Sequence, residues 1–130
     1  MTKALAVAVA LTLSALPAQA FEIGFEWGAL KSCTNGSPNT VDNPRFELTD
    51  VPEGTKFIRF KMVDLNYPSF DHGGGTIAYT GQTVIEPGSF KYKSPCPPSG
   101  QHKYQWTATA QSKKSGGKID AAKAVRKYPE

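Results

Sequence analysis

The feature that most constrains the fold of this chain is a period-two alternation of apolar and polar residues. Residues 21–27 alternate strictly, and the same period recurs over residues 56–64 and residues 102–110. Successive side chains of a strand point to opposite faces of a sheet, so each segment predicts a strand with one buried face. Twelve glycines and ten prolines supply the turns between short strands, and a mainly β chain is therefore expected.

Two of these segments place polar groups on their apolar face. Asp64 has the parity of the apolar residues in 56–64, and His102 and Tyr104 have the parity of Trp106. A polar group at the core-facing end of a strand is costly unless it is hydrogen-bonded or lies at the mouth of a pocket. These three residues are candidate pocket residues, and satisfied core groups are the alternative for His102 and Tyr104.

The first twenty residues have the pattern of a secretory signal. Lys3 follows the initial Met, residues 4–16 are almost wholly apolar, and small residues lead up to Ala20. This pattern predicts cleavage after Ala20, a single domain over residues 21–130, and a periplasmic or secreted location. A transmembrane anchor is the alternative, but the run is shorter than the ~20 apolar residues that a span requires.

Export bears on the only two cysteines, because oxidising compartments favour disulfides. We expect a bridge between Cys33 and Cys96. Closing such a loop stabilises a small domain by about 4 kcal/mol on the chain-entropy model. A reactive thiol is the alternative, but nothing beside either cysteine in sequence demonstrates a neighbourhood that favours the thiolate.

The segments between and after the clear strands predict loops, a hairpin and a helix. Residues 76–85 predict a hairpin around residues 80–82, and residues 112–118 predict a polar linker. Residues 119–127 predict a short helix that ends before Pro129. No internal repeat is visible.

The net charge of +4 comes mainly from the C-terminal end. Residues 21–111 hold eight basic and nine acidic residues, whereas six basic residues follow Ser112. A basic face interleaved with stacking aromatics is absent from the sequence pattern, which argues against a nucleic-acid partner. Attraction of these lysines to anionic lipid headgroups is a weaker alternative to a solvated surface.

Three motifs in order resemble the phosphatidylethanolamine-binding protein family, in particular its bacterial Raf-kinase-inhibitor-like members. Residues 51–56 read VPEGTK before a strand, residues 64–68 read DLNYP, and residues 97–104 read PPSGQHKY. The resemblance covers roughly residues 43–111, and the last motif is the most specific. It implies an antiparallel β-sandwich with a short C-terminal helix.

The same resemblance implies an anion-accepting pocket. Its lining would be Asp64, His72, His102 and Tyr104, with the loop containing Pro97 as one wall. The ring N–H groups and the Tyr104 hydroxyl would donate hydrogen bonds to ligand oxygens. His72 lies among glycines, so an exposed loop tip is the alternative for that residue.

We therefore expect a non-enzymatic binding protein for a small anionic or phosphate-bearing ligand, such as a phospholipid headgroup. The alternative is an interaction or inhibitor module that acts through its loops. The sequence lacks the G-x-S-x-G motif that is usual in serine hydrolases. The two histidines lie too far apart in sequence for the usual spacing of zinc ligands. No cofactor, metal or catalytic residue is expected.

Overall fold

The computed structural model describes residues 2–12 and 19–130, and all regular structure in those ranges is β. The strands are β1 Glu22–Phe25, β2 Thr40–Asp42, β3 Phe46–Thr49, β4 Phe57–Asp64, β5 Gly74–Ala78, β6 Val84–Ile85, β7 Lys91–Lys93, β8 His102–Lys113 and β9 Gly116–Tyr128. The three alternating segments are β1, β4 and the first part of β8. The predicted mainly β fold is confirmed.

The strands form a sandwich in which every pairing is antiparallel. One sheet has the order β1-β3-β6, and the other has the order β5-β4-β8-β9. Strands β2 and β7 form a separate two-stranded ribbon. Strands β4 and β8 pair over the whole length of β4, from Phe57 opposite Gln111 to Asp64 opposite Tyr104. This long central pair positions the residues that the sequence places at its end.

Large aromatic side chains fill the space between the two sheets. Phe46 of β3 lies 4.5 Å from the Phe60 ring of β4 and 5.1 Å from the Trp106 ring of β8. All three side chains are at most 1% exposed. Fully burying an aromatic side chain contributes about 1.5–3 kcal/mol, so this cluster joins the two sheets as the alternating pattern predicts.

The predicted C-terminal helix is wrong, because residues 119–127 lie inside strand β9. This strand pairs with β8 from Lys113 opposite Gly116 to His102 opposite Tyr128. Ala122 and Ala124 lie opposite Ala108 and Trp106, on the buried side of the sheet. Backbone pairing along β8 and the fit of small side chains there outweigh the helix propensity of alanine. The predicted linker over residues 112–118 forms the β8–β9 turn together with the adjacent strand ends.

The predicted hairpin over residues 76–85 is also wrong. Strand β5 pairs with β4, whereas β6 pairs with β3 in the other sheet. The turn at residues 80–82 therefore carries the chain from one sheet to the other. Two short apolar segments with a turn between them look alike in sequence whether they pair with each other or with different partners.

The predicted disulfide is confirmed. Cys33 and Cys96 are bonded, with Cα atoms 4.7 Å apart. Of the predicted signal peptide, residue 1 and residues 13–18 lie outside the described residues, and residues 2–12 contain no helix or strand. The structure therefore leaves cleavage after Ala20 as a prediction. Among the described residues, no helix is long and apolar enough to cross a membrane.

Candidate functional site

The end of β4 and the start of β8 bring the predicted polar residues together. Asp64 is the last residue of β4 and lies opposite Tyr104, two residues into β8 after His102. Asp64 is 5% exposed and Tyr104 is fully buried. The parity argument therefore predicts their inward orientation correctly, and the shared register explains why they are neighbours.

The Asp64 carboxylate accepts three hydrogen bonds. Its Oδ1 accepts from the backbone N–H groups of Asn66 at 2.8 Å and Tyr67 at 3.1 Å. Its Oδ2 lies 2.7 Å from Nδ1 of His102. A carboxylate can only accept, so this ring nitrogen carries the proton and Nε2 is the remaining polar atom of His102. Asp64 thus fixes the orientation of an imidazole that is partly exposed.

His72 comes from the loop before β5 and is also brought into the site. It is 3% exposed, and its Nδ1 donates to the backbone carbonyl of Lys93 at 2.8 Å. Burial lowers the pKa of His72 below its ordinary value. The ring is therefore neutral at pH 7, and its Nε2 has a lone pair. His72 offers an acceptor, whereas the sequence argument expected an N–H donor from this ring.

Tyr104 supplies a buried hydroxyl without a partner. Among the described residues, no group meets it at full hydrogen-bond geometry, although the Asp64 carboxylate and the Cys96 backbone lie near it. Burial, together with the nearby Asp64 carboxylate, raises the pKa of Tyr104, so the hydroxyl keeps its proton. A buried hydroxyl without a partner costs about 1–3 kcal/mol. Such a group is a candidate donor to a molecule that enters the site.

These four side chains line one cavity of about 290 Å³. The opposite wall comes from the two loops that the disulfide joins, through Gly36, Pro38, Cys96 and Pro98. Pro98 lines the cavity, whereas the predicted wall residue Pro97 is fully buried. The loop between β4 and β5 adds Asn66, Tyr67 and Phe70, which the sequence argument missed because loop residues have no periodicity to reveal their orientation.

The side chains of the lining define which polar groups a molecule in the cavity would meet. Among the described residues, its lining has no serine or threonine, and its one cysteine is in the disulfide. The polar atoms of the lining include Nε2 of His102, Nε2 of His72 and the Tyr104 hydroxyl, and Asn66 and Tyr67 also contribute polar side chains. Phe70 also lines the cavity, and the Lys93 ammonium lies 5.4 Å from the centre of its ring. A positive charge therefore lies close to the cavity.

The fold is that of the phosphatidylethanolamine-binding protein family, as comparison with solved structures shows. A homologue of that family from Chlamydia trachomatis, CT736, superposes with a TM-score of 0.62 at 16% identity, covering 87% of this chain and 99% of that one. Escherichia coli YbcL, described as a member of the mammalian family, gives 0.60 at 16% identity, covering 83% and 97%.

Sequence comparisons give no such match. No protein-family model matches the chain, and no curated protein matches it significantly. The resemblance carried by the three motifs is thus confirmed at the level of the fold.

Proposed function

We propose that this protein is an exported, non-enzymatic binding protein whose cavity takes a small anionic or phosphate-bearing group. The observation that carries the proposal is the unpartnered hydroxyl of Tyr104 beside the His102–Asp64 pair. Buried polar groups nearly always have a partner, and a polar ligand in the cavity would give the Tyr104 hydroxyl one. His102 and Tyr104, whose positions on β8 fix their orientation, then present polar atoms to the same cavity.

The polar atoms define the chemistry of the ligand. Phosphate oxygens would accept from the Tyr104 hydroxyl and from Nε2–H of a protonated His102. Nε2 of neutral His72 would accept from a protonated phosphate oxygen or from an amine. A monoanionic phosphate group or an amine-bearing phosphate headgroup has both kinds of site. The cavity of about 290 Å³ is at the small end of ligand pockets, which favours a headgroup over a larger molecule.

The test is calorimetric titration with phosphoethanolamine and inorganic phosphate, comparing Tyr104→Phe with Tyr92→Phe. Both tyrosines have buried hydroxyls without partners, but only Tyr104 lines the cavity. A hydrogen bond to a charged group contributes about 1.5–3 kcal/mol, so Tyr104→Phe should weaken binding about 10- to 100-fold. Tyr92→Phe should bind like the parent. Equal affinities for all three proteins would refute the cavity as the binding site.

Two further measurements address the class of protein. Hydrolysis of simple esters or phosphate esters that disappears in His102→Ala would contradict the non-enzymatic proposal. Inhibition of a partner protein that survives Tyr104→Phe and His102→Ala would favour the alternative of a module that acts through its loops.

Export is supported by the Cys33–Cys96 disulfide, which oxidising compartments favour. Intact mass of protein from the exported fraction should correspond to a start at Phe21. A start at Met1 would contradict the proposed signal, and two free thiols after native isolation would contradict the disulfide.

A further inference from the structure

A second feature lies on the outer face of the four-stranded sheet, away from the cavity. Five basic residues occupy outward positions there, and we call this surface the basic face: Arg59, Lys61, Lys103, Lys123 and Lys127. Each is exposed. Register places Lys61, Thr107 and Lys123 in one row across β4, β8 and β9. Adjacent strands are about 4.8 Å apart, so the cations lie close together on one face of the sheet.

Few acidic groups compensate the charges of the basic face, although Asp71 lines a neighbouring depression together with Arg59 and Lys61. No aspartate or glutamate occupies an outward position in β4, β5 or β9, or in β8 from Lys103 to Thr109, all of which the structure describes. The four ion pairs among the described residues involve none of the five cations. Lys103 even lies directly opposite Lys127. Like charges at opposite positions are destabilising, so an anionic partner would relieve a cost that the free protein bears.

The rest of the face indicates what kind of anion fits. Arg59, Lys61 and the two threonines Thr107 and Thr109 line a shallow depression of about 300 Å³, with charge and hydroxyls suited to a phosphate group. Between the charged rows, Val125 is 48% exposed and lies opposite Gln105. No exposed aromatic side chain lies on the outward positions of these strands for bases to stack on.

We propose that the basic face docks on the surface of an anionic phospholipid bilayer. Phosphates of several lipids would neutralise the cations at once, one phosphate would enter the depression, and Val125 would contact the apolar boundary below the headgroups. A soluble polyanion would use the cations but not the exposed valine. The proposal is independent of the cavity, because the basic face lies on the opposite side of the sheet from Tyr104.

A second copy of the chain is the competing occupant, because the other sheet is acidic outside. Glu22 and Glu47 occupy outward positions of β1 and β3, and Arg45 pairs there with Glu47 at 2.9 Å. The basic face of one molecule could thus stack on this surface of another. The test therefore measures self-association as well as vesicle binding.

The experiment is co-sedimentation of the full chain with phosphatidylglycerol vesicles and with phosphatidylcholine vesicles at low and high salt. Exposed apolar residues near the N-terminus contribute to binding to both kinds of vesicle. The ratio of the affinities for phosphatidylglycerol and phosphatidylcholine vesicles therefore reports the effect of lipid charge. The test variant is Lys61→Gln with Lys123→Gln. The control is Arg45→Gln with Lys91→Gln, which changes net charge equally but removes cations paired with Glu47 and Asp42.

Each cation near an anionic bilayer raises affinity about fivefold, so the test variant should bind phosphatidylglycerol vesicles about 25-fold more weakly. High salt should weaken binding of the parent, whereas the control variant should bind like the parent. Equal binding to both lipids, or equal loss in the two double variants, would overturn the proposal. So would tighter binding to heparin or single-stranded DNA, or self-association at low salt that the test variant abolishes.

Discussion

Replacing Tyr104 with phenylalanine should stabilise the ligand-free protein. The Tyr104 side chain is fully buried and its hydroxyl has no partner at full hydrogen-bond geometry among the described residues, so folding removes the hydroxyl from water with incomplete compensation. An unsatisfied buried polar group costs about 1–3 kcal/mol. Phenylalanine keeps the ring, including its edge contact with Trp27 at 5.7 Å. We expect the free energy of unfolding to rise by about 1 kcal/mol, which for a domain of this size corresponds to a Tm increase of about 4 °C.

The assay is urea unfolding followed by tryptophan fluorescence, with the slope m compared between parent and variant. An unchanged m and a higher midpoint would agree with the reasoning. Tyr92→Phe is the matched control, since its hydroxyl is also buried and unpartnered but does not line the cavity. A loss of about 1 kcal/mol in Tyr104→Phe would refute the reasoning, because it would mean that the hydroxyl is hydrogen-bonded in the free protein.

Three further predictions concern other parts of the molecule. Burial lowers the pKa of His72, so this ring is protonated in the unfolded chain before it is protonated in the folded protein as the pH falls below about 6.5. The free energy of unfolding therefore decreases as the pH falls. His72→Asn keeps a donor for the Lys93 carbonyl and should flatten this pH dependence in urea unfolding; an unchanged dependence would contradict it. Gly74→Ala should destabilise by about 3 kcal/mol or more by thermal unfolding, because its Cβ would lie against the Phe60 carbonyl oxygen. Gly24→Ala, whose Cβ meets nothing within 4 Å, is the control, and equal effects would refute the clash. Deleting residues 117–130 removes most of β9 and should abolish cooperative unfolding by circular dichroism, whereas an unchanged midpoint would show that β9 is dispensable.

Side-chain parity predicted the core strands because it depends on chemistry within a few residues. Asp64, His102 and Tyr104 break the apolar pattern at strand ends, and the structure places all three at one cavity. Only the family resemblance predicts His72 as a cavity residue, because a glycine-rich loop has no alternating pattern that shows which way its side chains point. The direction of its hydrogen bond depends on the Lys93 carbonyl, which lies in a distant strand.

Strand β9 shows why the local sequence pattern predicted a helix over residues 119–127 incorrectly. Ile119 and Val125 share a face in a helix, and that spacing predicted burial, yet they are 41% and 48% exposed. The buried residues of β9 are Ala122 and Tyr128, and the small side chain of Ala122 suits the space beside β8 but carries little signal in sequence. Their orientation is set by pairing with β8, a contact that the spacing of residues 119–127 does not reveal.

The disulfide joins segments that form one wall of the cavity, but it does not join strands of the central sheet. One cavity wall is built from the segments around Cys33 and Cys96, which also meet through two hydrogen bonds between Asn39 and Ser94. The central sheet uses neither segment. Reduction would therefore remove the covalent link between these segments, whereas the β4–β8 pairing would keep Asp64 and Tyr104 in register. The bond between Cys33 and Cys96 thus bears on the shape of the cavity wall more than on the pairing of the central strands.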